Sequence, residues 1–363
     1  MASGKRSWIG LMVVVGLLAS GCSAEEGTTT TGVGQGTTTE AAQVTTTAAE
    51  GSTTVPEGFG DISIALIPGL TNDSFYTTFA CGAQAAAADL GGITTTVQAA
   101  DSWGMDVQQP ILDAVLLQEP DGIAYVPHDF SAANPWIEER ITDGIPVVTF
   151  DVIVEPNVAI QGRATDSFLG GALAAQKLSE TAAQDGSMAV IGINPGHGNT
   201  RRINGFLGGT AGAPGIEELR PDLTILPTIW SEDDAAVASN GLAAIIEANP
   251  DLVAVYTSNG TTAQGAASAI AAAGLQDTVD LISWDLFPDF LADLESGVID
   301  GLVGQQPYQI GYDSVQTLAG VIRGEIDPNS LEKTLWIPSV WVDRDNVDDP
   351  DIVKQFYVAE CSG

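Results

Sequence analysis

The sequence predicts an α/β fold of two doubly wound parallel-sheet lobes. Strand and helix patterns alternate along the chain in two successive blocks of βα units. The strand runs are apolar without polar alternation, as in parallel sheets covered on both faces. From residue 59 onward the chain is also longer than a single core usually grows, so two lobes are expected.

In the first block, Ile62–Ile67 is a short apolar run rich in β-branched residues. Ser74–Leu90 reads as an Ala-dense helix stopped by Gly91-Gly92. Thr94–Gln98 is the second strand, Val107–Gln118 the second helix and Ile123–Val126 the third strand. A helix near Trp136–Thr142 leads to the fourth strand, Pro146–Phe150. The second block opens with helix Phe168–Ala183 and strand Met188–Ile193, then a turn-rich loop and a helix. Strand Thr224–Ile229, helix Ala235–Glu247, strand Val253–Thr257, helix Ala263–Ala273, strand Leu281–Ser283 and helix Phe287–Ser296 follow. Strand Gly301–Val303, helix Tyr308–Arg323 and strand Thr334–Val342 close the pattern.

The N-terminal residues read as an export signal. Lys5 and Arg6 precede an apolar run, Trp8–Leu18, that is short for a membrane span, and Ala19-Ser20-Gly21-Cys22 follows. Small residues directly before a Cys resemble the lipobox of bacterial lipoproteins, although Ala19 stands where that motif more often has Leu. The resemblance implies that residues 1–22 are the signal and lipobox, with Cys22 the lipidated N-terminus; an ordinary signal peptide with an incidental Cys is the plainer alternative. Residues 23–58, dominated by Thr, Gly, Ala and Glu, have almost no large apolar side chains. They are expected to form a disordered tether. The expected location is extracytoplasmic, on the cell envelope.

Net charge is −35 with only 12 Lys and Arg, which excludes nucleic acid as a partner and leaves an anionic ligand few counter-charges. There are three cysteines. With Cys22 lipidated, Cys81 and Cys361 remain in an oxidising compartment and are expected to form one disulfide, pinning the C-terminal tail to the first helix. Two free thiols are the alternative.

Open α/β sheets bind ligands beyond the C-terminal ends of their strands. Polar or aromatic residues follow strand after strand. Asp73, Phe75 and Tyr76 come after the first, His128 and Asp129 after the third, and Asp151 after the fourth. In the second block come Asn194 through Arg202, then Trp230, Asn259, Asp285 and Gln305. Helix capping alone would account for Asp73, Asp129 and Asn259.

At these residues the chain resembles the periplasmic sugar-binding family of the ribose-binding type, over about residues 61–345. Ala65-Leu66-Ile67 with Asn72-Asp73-Ser74-Phe75-Tyr76 looks like that family's first strand and aromatic loop. Pro146-Val147-Val148-Thr149-Phe150-Asp151 matches its fourth strand and sugar-binding Asp. Asp166 with Gly170-Gly171 matches the entry to the second lobe, and Arg202-Ile203-Asn204-Gly205-Phe206 the Arg-x-x-Gly-Phe segment. Ser258-Asn259 and Trp284-Asp285 match two further ligand-contacting turns, and Gln305, before Pro307 and Gln309-Ile310-Gly311, matches the Gln near a hinge. The resemblance implies a type I periplasmic binding protein whose lobes are joined by three crossovers, near Thr165, Gln306 and Leu335. It implies an N-terminal lobe of 59–165 plus 307–335, a C-terminal lobe of 166–306 plus 336–345, and a tail, 346–363.

In that family the lobes close on a sugar. Carried over, Asp73, Asp151, Asp285, Asn259 and Gln305 take hydroxyls and Arg202 donates. Phe75 and Tyr76 cover one face of the guest and Trp230 the other; beside the resemblance, His128 is read as a contact at the rim and Asp129 as a further ligand-binding candidate. The implied partners are a small sugar-like ligand, the permease subunits of an ABC importer, and the membrane through the lipid anchor, with the protein a monomer. Three departures point away from ribose: Val152 stands where Arg commonly follows the Asp, Val126-Pro127 where Asn commonly precedes Pro, and Asp73 where an amide is usual. They favour another sugar, a polyol or cyclitol, or a ligand carrying positive charge.

The sequence gives little support to an enzyme. It has two His and no Gly-x-Ser-x-Gly, zinc-type His pair, Walker loop or dinucleotide fingerprint. His197 is expected in a loop or at the lip of the cleft. Asp343, Asp345 and Asp348 lack the Gly and closing Glu of a calcium loop, so no metal and no cofactor are expected. A sensor presenting a signal such as an autoinducer to a receptor kinase is the rival to transport. A repressor is not, since no helix-turn-helix segment is visible.

Overall fold

The computed structural model describes residues 61–361, apart from 183–184, 194–196, 211 and the side chain of His197. The expected signal, Cys22, the tether and Asn194 lie outside the described residues.

The first block folds as β1 (Ile62–Ile67), α1 (Ser74–Leu90), β2 (Ile93–Val97), α2 (Met105–Leu116), β3 (Gly122–Tyr125), α3 (Asn134–Thr142), β4 (Val147–Phe150) and β5 (Gln161–Thr165). The second begins with α4 (Ser167–Thr181), β6 (Gly186–Gly192) and α5 (His197–Leu207), followed by a small antiparallel pair, β7 (Gly209–Thr210) and β8 (Ala213–Pro214). Then come α6 (Ile216–Leu219), β9 (Leu223–Ile225), β10 (Ile229–Trp230), α7 (Ala235–Ala248), β11 (Leu252–Thr257), α8 (Gly260–Ala273), β12 (Asp280–Trp284), α9 (Phe290–Ser296) and β13 (Gly301–Gly304). The chain ends with α10 (Pro307–Ile322), β14 (Thr334–Ile337), β15 (Val340–Asp343) and the short α11 (Pro350–Val353).

Among the described residues these strands form two principal sheets. The first has the order β14-β5-β4-β3-β1-β2 and is parallel throughout. The second runs β10-β6-β11-β12-β13-β15, with β9 also paired to β6. In both, the central strands follow one doubly wound plan, so β4 of the first lobe corresponds to β12 of the second and β5 to β13. One buried apolar cluster runs through both lobes. It joins Leu66, Phe79 and Leu318 to Val255, Leu281 and Leu302, and includes Tyr357 of the tail. Separate clusters around Tyr125 and around Tyr256 cover the opposite face of each sheet.

Three expectations change. The single strand expected over Thr334–Val342 is two strands, broken at Pro338-Ser339. Trp336 and Ile337 pair with Ala164 and Thr165 of β5. Across that break the chain enters the second sheet antiparallel to β13, so that sheet is not wholly parallel. Strand Thr224–Ile229 likewise divides into β9 and β10.

Local chemistry explains the helix ends near the cleft. Asp73 caps α1 by accepting from the backbone N–H of Phe75 (2.8 Å) and Tyr76 (3.3 Å). The small residues of α1 allow α10 to approach closely; a Cβ at Gly82 would strike the Tyr308 carbonyl.

The disulfide Cys81–Cys361 is formed, with Cα atoms 5.2 Å apart, and ties the tail to α1. No helix among the described residues is long and apolar enough to cross a membrane.

Candidate functional site

Two aspartates occupy equivalent places in the two lobes. Asp151 follows β4 and its N–H bonds to the Arg163 carbonyl of β5 (2.9 Å); Asp285 follows β12 and bonds likewise to Val303 of β13 (3.0 Å). Both backbones are left-handed, with φ of 62° for Asp151 and 75° for Asp285. That region is uncommon for a residue with a side chain, and such positions concentrate at binding sites. Here the left-handed turn follows directly where the strand pairing ends.

The side chains are held by neighbours. The Tyr76 hydroxyl donates to Asp151 Oδ2 at 2.7 Å. Asp285 is buried; its Oδ2 accepts from the Gly260 N–H (3.0 Å), and its Oδ1 accepts from Gln305 Nε2 (2.7 Å) and from the Tyr357 hydroxyl (3.2 Å). Arg202, on α5, is buried above the face of Trp284, with its guanidinium carbon 4.1 Å from the ring centroid. Its Nη1 donates to the Ser258 carbonyl (2.8 Å) and lies 3.8 Å from Asp285 Oδ2. Its Nε is buried without a hydrogen-bond partner. Trp284 is itself fixed by donating from Nε1 to the Tyr256 hydroxyl (2.7 Å).

The carboxylates sense one another across the lobes. Burial pushes Asp73 up to about 6, against the bonds from Tyr76 and Phe75, and the charges of Asp285 and Asp151 raise it further. Burial also raises Asp151; its bond from Tyr76 and the charge of Arg202 oppose this, and Asp285 adds to it. A cleft of ≈ 290 Å³ opens beside Asp151, between Ser167 and Arg201 on one side and Thr165, Thr334 and Trp336 along the crossing strands. It meets the cluster only through Asp151. No group of three or more His, Cys, Asp or Glu among the described residues is arranged to hold a metal ion.

A periplasmic binding protein domain model matches residues 64–326. The chain belongs to the periplasmic binding protein family. The ribose import binding protein of Escherichia coli (strain K12) is 24% identical over 264 residues, covering 72% of this chain and 86% of that one. Its counterpart in Bacillus subtilis (strain 168) is 24% identical over 279 residues, 77% of this chain and 86% of the relative. Among solved structures, an ABC transporter solute-binding protein from Agrobacterium vitis, bound with α-D-tagatopyranose, superposes with a TM-score of 0.72 at 30% identity. It covers 82% of this chain and 99% of its own. A carbohydrate transporter solute-binding protein from Agrobacterium radiobacter, in complex with D-arabinose, gives 0.71 at 28% identity, covering 82% and 100%. The fold is that of a type I periplasmic binding protein, and the chain is a binding protein rather than an enzyme.

In this periplasmic binding protein the expected site residues fall into two groups. Asp73, Phe75, Tyr76, Asp151, Arg202, Asp285 and Gln305 are linked by the bonds, ring contacts and charges described above, with Phe75 edge-on to Tyr76 at 5.1 Å. The other four have local partners. His128 is buried, donating through Nε2 to the Gly69 carbonyl (2.7 Å) and accepting at Nδ1 from the Gly104 N–H (3.0 Å), so it pins two loops together. Asp129 accepts from the N–H groups of Ser131 and Ala132, and these bonds hold its carboxyl below the usual range. Asn259 makes a capping box with Thr262, and its amide donates to Asp233 (2.7 Å). Trp230 is 45% exposed on the two-residue β10, alongside Gly192.

Two aromatic residues were not anticipated, and a third was named only within a motif. Trp103 stacks on His128 at 4.2 Å and shares with Tyr76 the space over Gly69. Trp284, expected only as part of a motif, is the floor beneath Arg202. Tyr357 comes from the tail; the expected Cys81–Cys361 link was the one sequence signal that the tail returns to α1.

Proposed function

We propose that this protein captures a neutral, hydroxyl-rich molecule of monosaccharide size between its lobes and hands it unaltered to the permease of an ABC importer. It acts as a monomer outside the cytoplasm, anchored by lipid on Cys22. The reading is carried by the convergence of Asp73 and Asp151 from one lobe with Asp285 and Arg202 from the other. Carboxylates accept two hydroxyl hydrogens each, and the unpaired Arg202 Nε supplies the donor that a ring or hydroxyl oxygen needs. The bound D-tagatopyranose and D-arabinose of the similar solute-binding proteins support a monosaccharide. The excess of carboxylates over cations favours an amino sugar as the second reading.

The test is a thermal-shift and calorimetric screen of D-tagatose, D-arabinose, D-fucose, D-ribose, D-sorbitol and D-glucosamine against the wild type and Asp151→Ala. A sugar that raises the melting temperature of the wild type and not of the variant supports the proposal. A wild-type melt unmoved by every compound defeats it. Uptake of the best sugar by cells with and without the gene separates import from signal presentation.

A further inference from the structure

The C-terminal tail does more than end the chain. After α11 it turns back so that Tyr357, 1% exposed, donates its N–H to the Leu286 carbonyl (2.8 Å) and its hydroxyl to Asp285 (3.2 Å) in the second lobe. Its ring stands edge-on to Phe287 of the same lobe at 5.7 Å and to Phe75 of the first lobe at 5.6 Å. One residue later Val358 N–H donates to Thr78 Oγ1 on α1 (2.8 Å), and Cys361 is bonded to Cys81 on the same helix. We infer that this tail completes the ligand site, with Tyr357 as a specificity-determining wall that the Cys81–Cys361 disulfide keeps in place. The inference rests on the capture reading above and adds which end of the guest the protein discriminates.

The chemistry follows from counting acceptors. A carboxylate offers about four lone-pair positions. Asp285 has three filled, by Gln305, Tyr357 and the Gly260 N–H, so one remains for the guest. Asp151 has one filled, by Tyr76. A vicinal pair of hydroxyls is therefore directed to Asp151, while Asp285 reads a single hydroxyl. The Tyr357 ring, wedged between Phe75 and Phe287, closes that side to a bulky substituent. The disulfide makes the arrangement durable. Tyr357 and Cys361 are four positions apart, a reach of at most about 14 Å. When the lobes part, the phenol stays close to the cleft and returns as they close.

The experiment uses the full mature chain with the six compounds named above, comparing wild type, Tyr357→Phe and Cys361→Ser by calorimetry, with circular dichroism to verify the fold. Tyr357→Phe keeps the ring and removes only the hydroxyl. It is expected to change the Kd of the preferred sugar about tenfold and to reorder the sugars, because a position on Asp285 is freed. Cys361→Ser is expected to narrow the gap between best and second-best sugar. If both variants keep every Kd within about twofold, or weaken all sugars equally with the ranking intact, Tyr357 is a structural strap and the inference is overturned while sugar capture stands. If the wild type binds none of the six, the capture reading falls and this inference with it.

Discussion

Replacing Asp73 by Asn removes a carboxyl that burial, aided by two acidic neighbours, moves from its ordinary 3.8 to about 6. At about 1.4 kcal/mol per pH unit this displacement corresponds to about 3 kcal/mol, and partial solvent access trims it to about 2 kcal/mol. The Asn oxygen still accepts from Phe75 and Tyr76, so the cap of α1 is kept to within a few tenths of a kcal/mol. The sign is set by proton uptake. The folded protein holds this proton up to about pH 6, whereas the unfolded chain releases it near 3.8, so the group's contribution is full below 3.8 and lost as pH rises through 6. At pH 7.5 the Asn variant is therefore expected to be more stable than the wild type by about 2 kcal/mol, or about 4 °C in Tm. The difference should shrink toward zero at pH 4. Thermal melts of both proteins across this range at constant ionic strength measure it. A Tm difference that stays flat with pH, or favours the wild type at pH 7.5, would refute the placement of Asp73 in a buried acidic cluster.

Other outcomes follow from the same geometry. Arg202→Met keeps the bulk over Trp284 and removes the guanidinium; sugar affinity is expected to fall about thirtyfold by calorimetry. A methyl group at Gly69 would sit 2.5 Å from the Tyr76 hydroxyl and 2.8 Å from Trp103, so Gly69→Ala should displace Tyr76 from Asp151. It should weaken sugar binding about tenfold without loss of the far-ultraviolet dichroism of the fold. Trp284→Ala empties a fully buried position and is expected to cost about 3–5 kcal/mol in urea unfolding.

The parts of the fold legible in the sequence are those whose signals are local. Helix α1 is bounded as expected because Asp73 is a strong cap and Gly91-Gly92 a strong stop, with Gly91 at φ 64°. Strand β5, Gln-Gly-Arg-Ala-Thr, gives no apolar run. Its Arg163 is buried only because Asp313 and Thr317 of α10 receive the guanidinium, partners about 150 residues away in sequence. The break between β14 and β15 was hidden because the apolar run Leu-Trp-Ile resumes as Val-Trp-Val beyond Pro338, which itself lacks the N–H to stay in a ladder. In the site, Asp151 and Asp285 announce themselves by position after equivalent strands. Asp129 and Asn259 give the same signal and find local donors, Ser131 and Ala132 for one and Thr262 for the other. Tyr357 was out of reach because the expected Cys81–Cys361 link says where the tail returns, not which of its side chains turns inward.

The electrostatics of the cluster also bear on what it binds. Asp73, Asp151 and Asp285 feel one another's charge, Arg202 acts on Asp285 and Asp151, and Asp73 and Asp151 sit above their ordinary range because charge there is poorly solvated. An anionic guest would add repulsion where screening is weakest, whereas hydroxyls give hydrogen bonds to the carboxylates without adding charge. Each hydroxyl bonded to a carboxylate favours its ionised form, so binding should lower the raised titrations of Asp73 and Asp151, with the Asp73 proton released near pH 6. On the proposed reading, the same acceptors that make the unliganded cluster uncomfortable would favour a donor-rich guest. With Arg202 the single cation among them, the guest must bring most of the donors itself. A polyhydroxylated ring meets that requirement, and a carboxylate or phosphate does not.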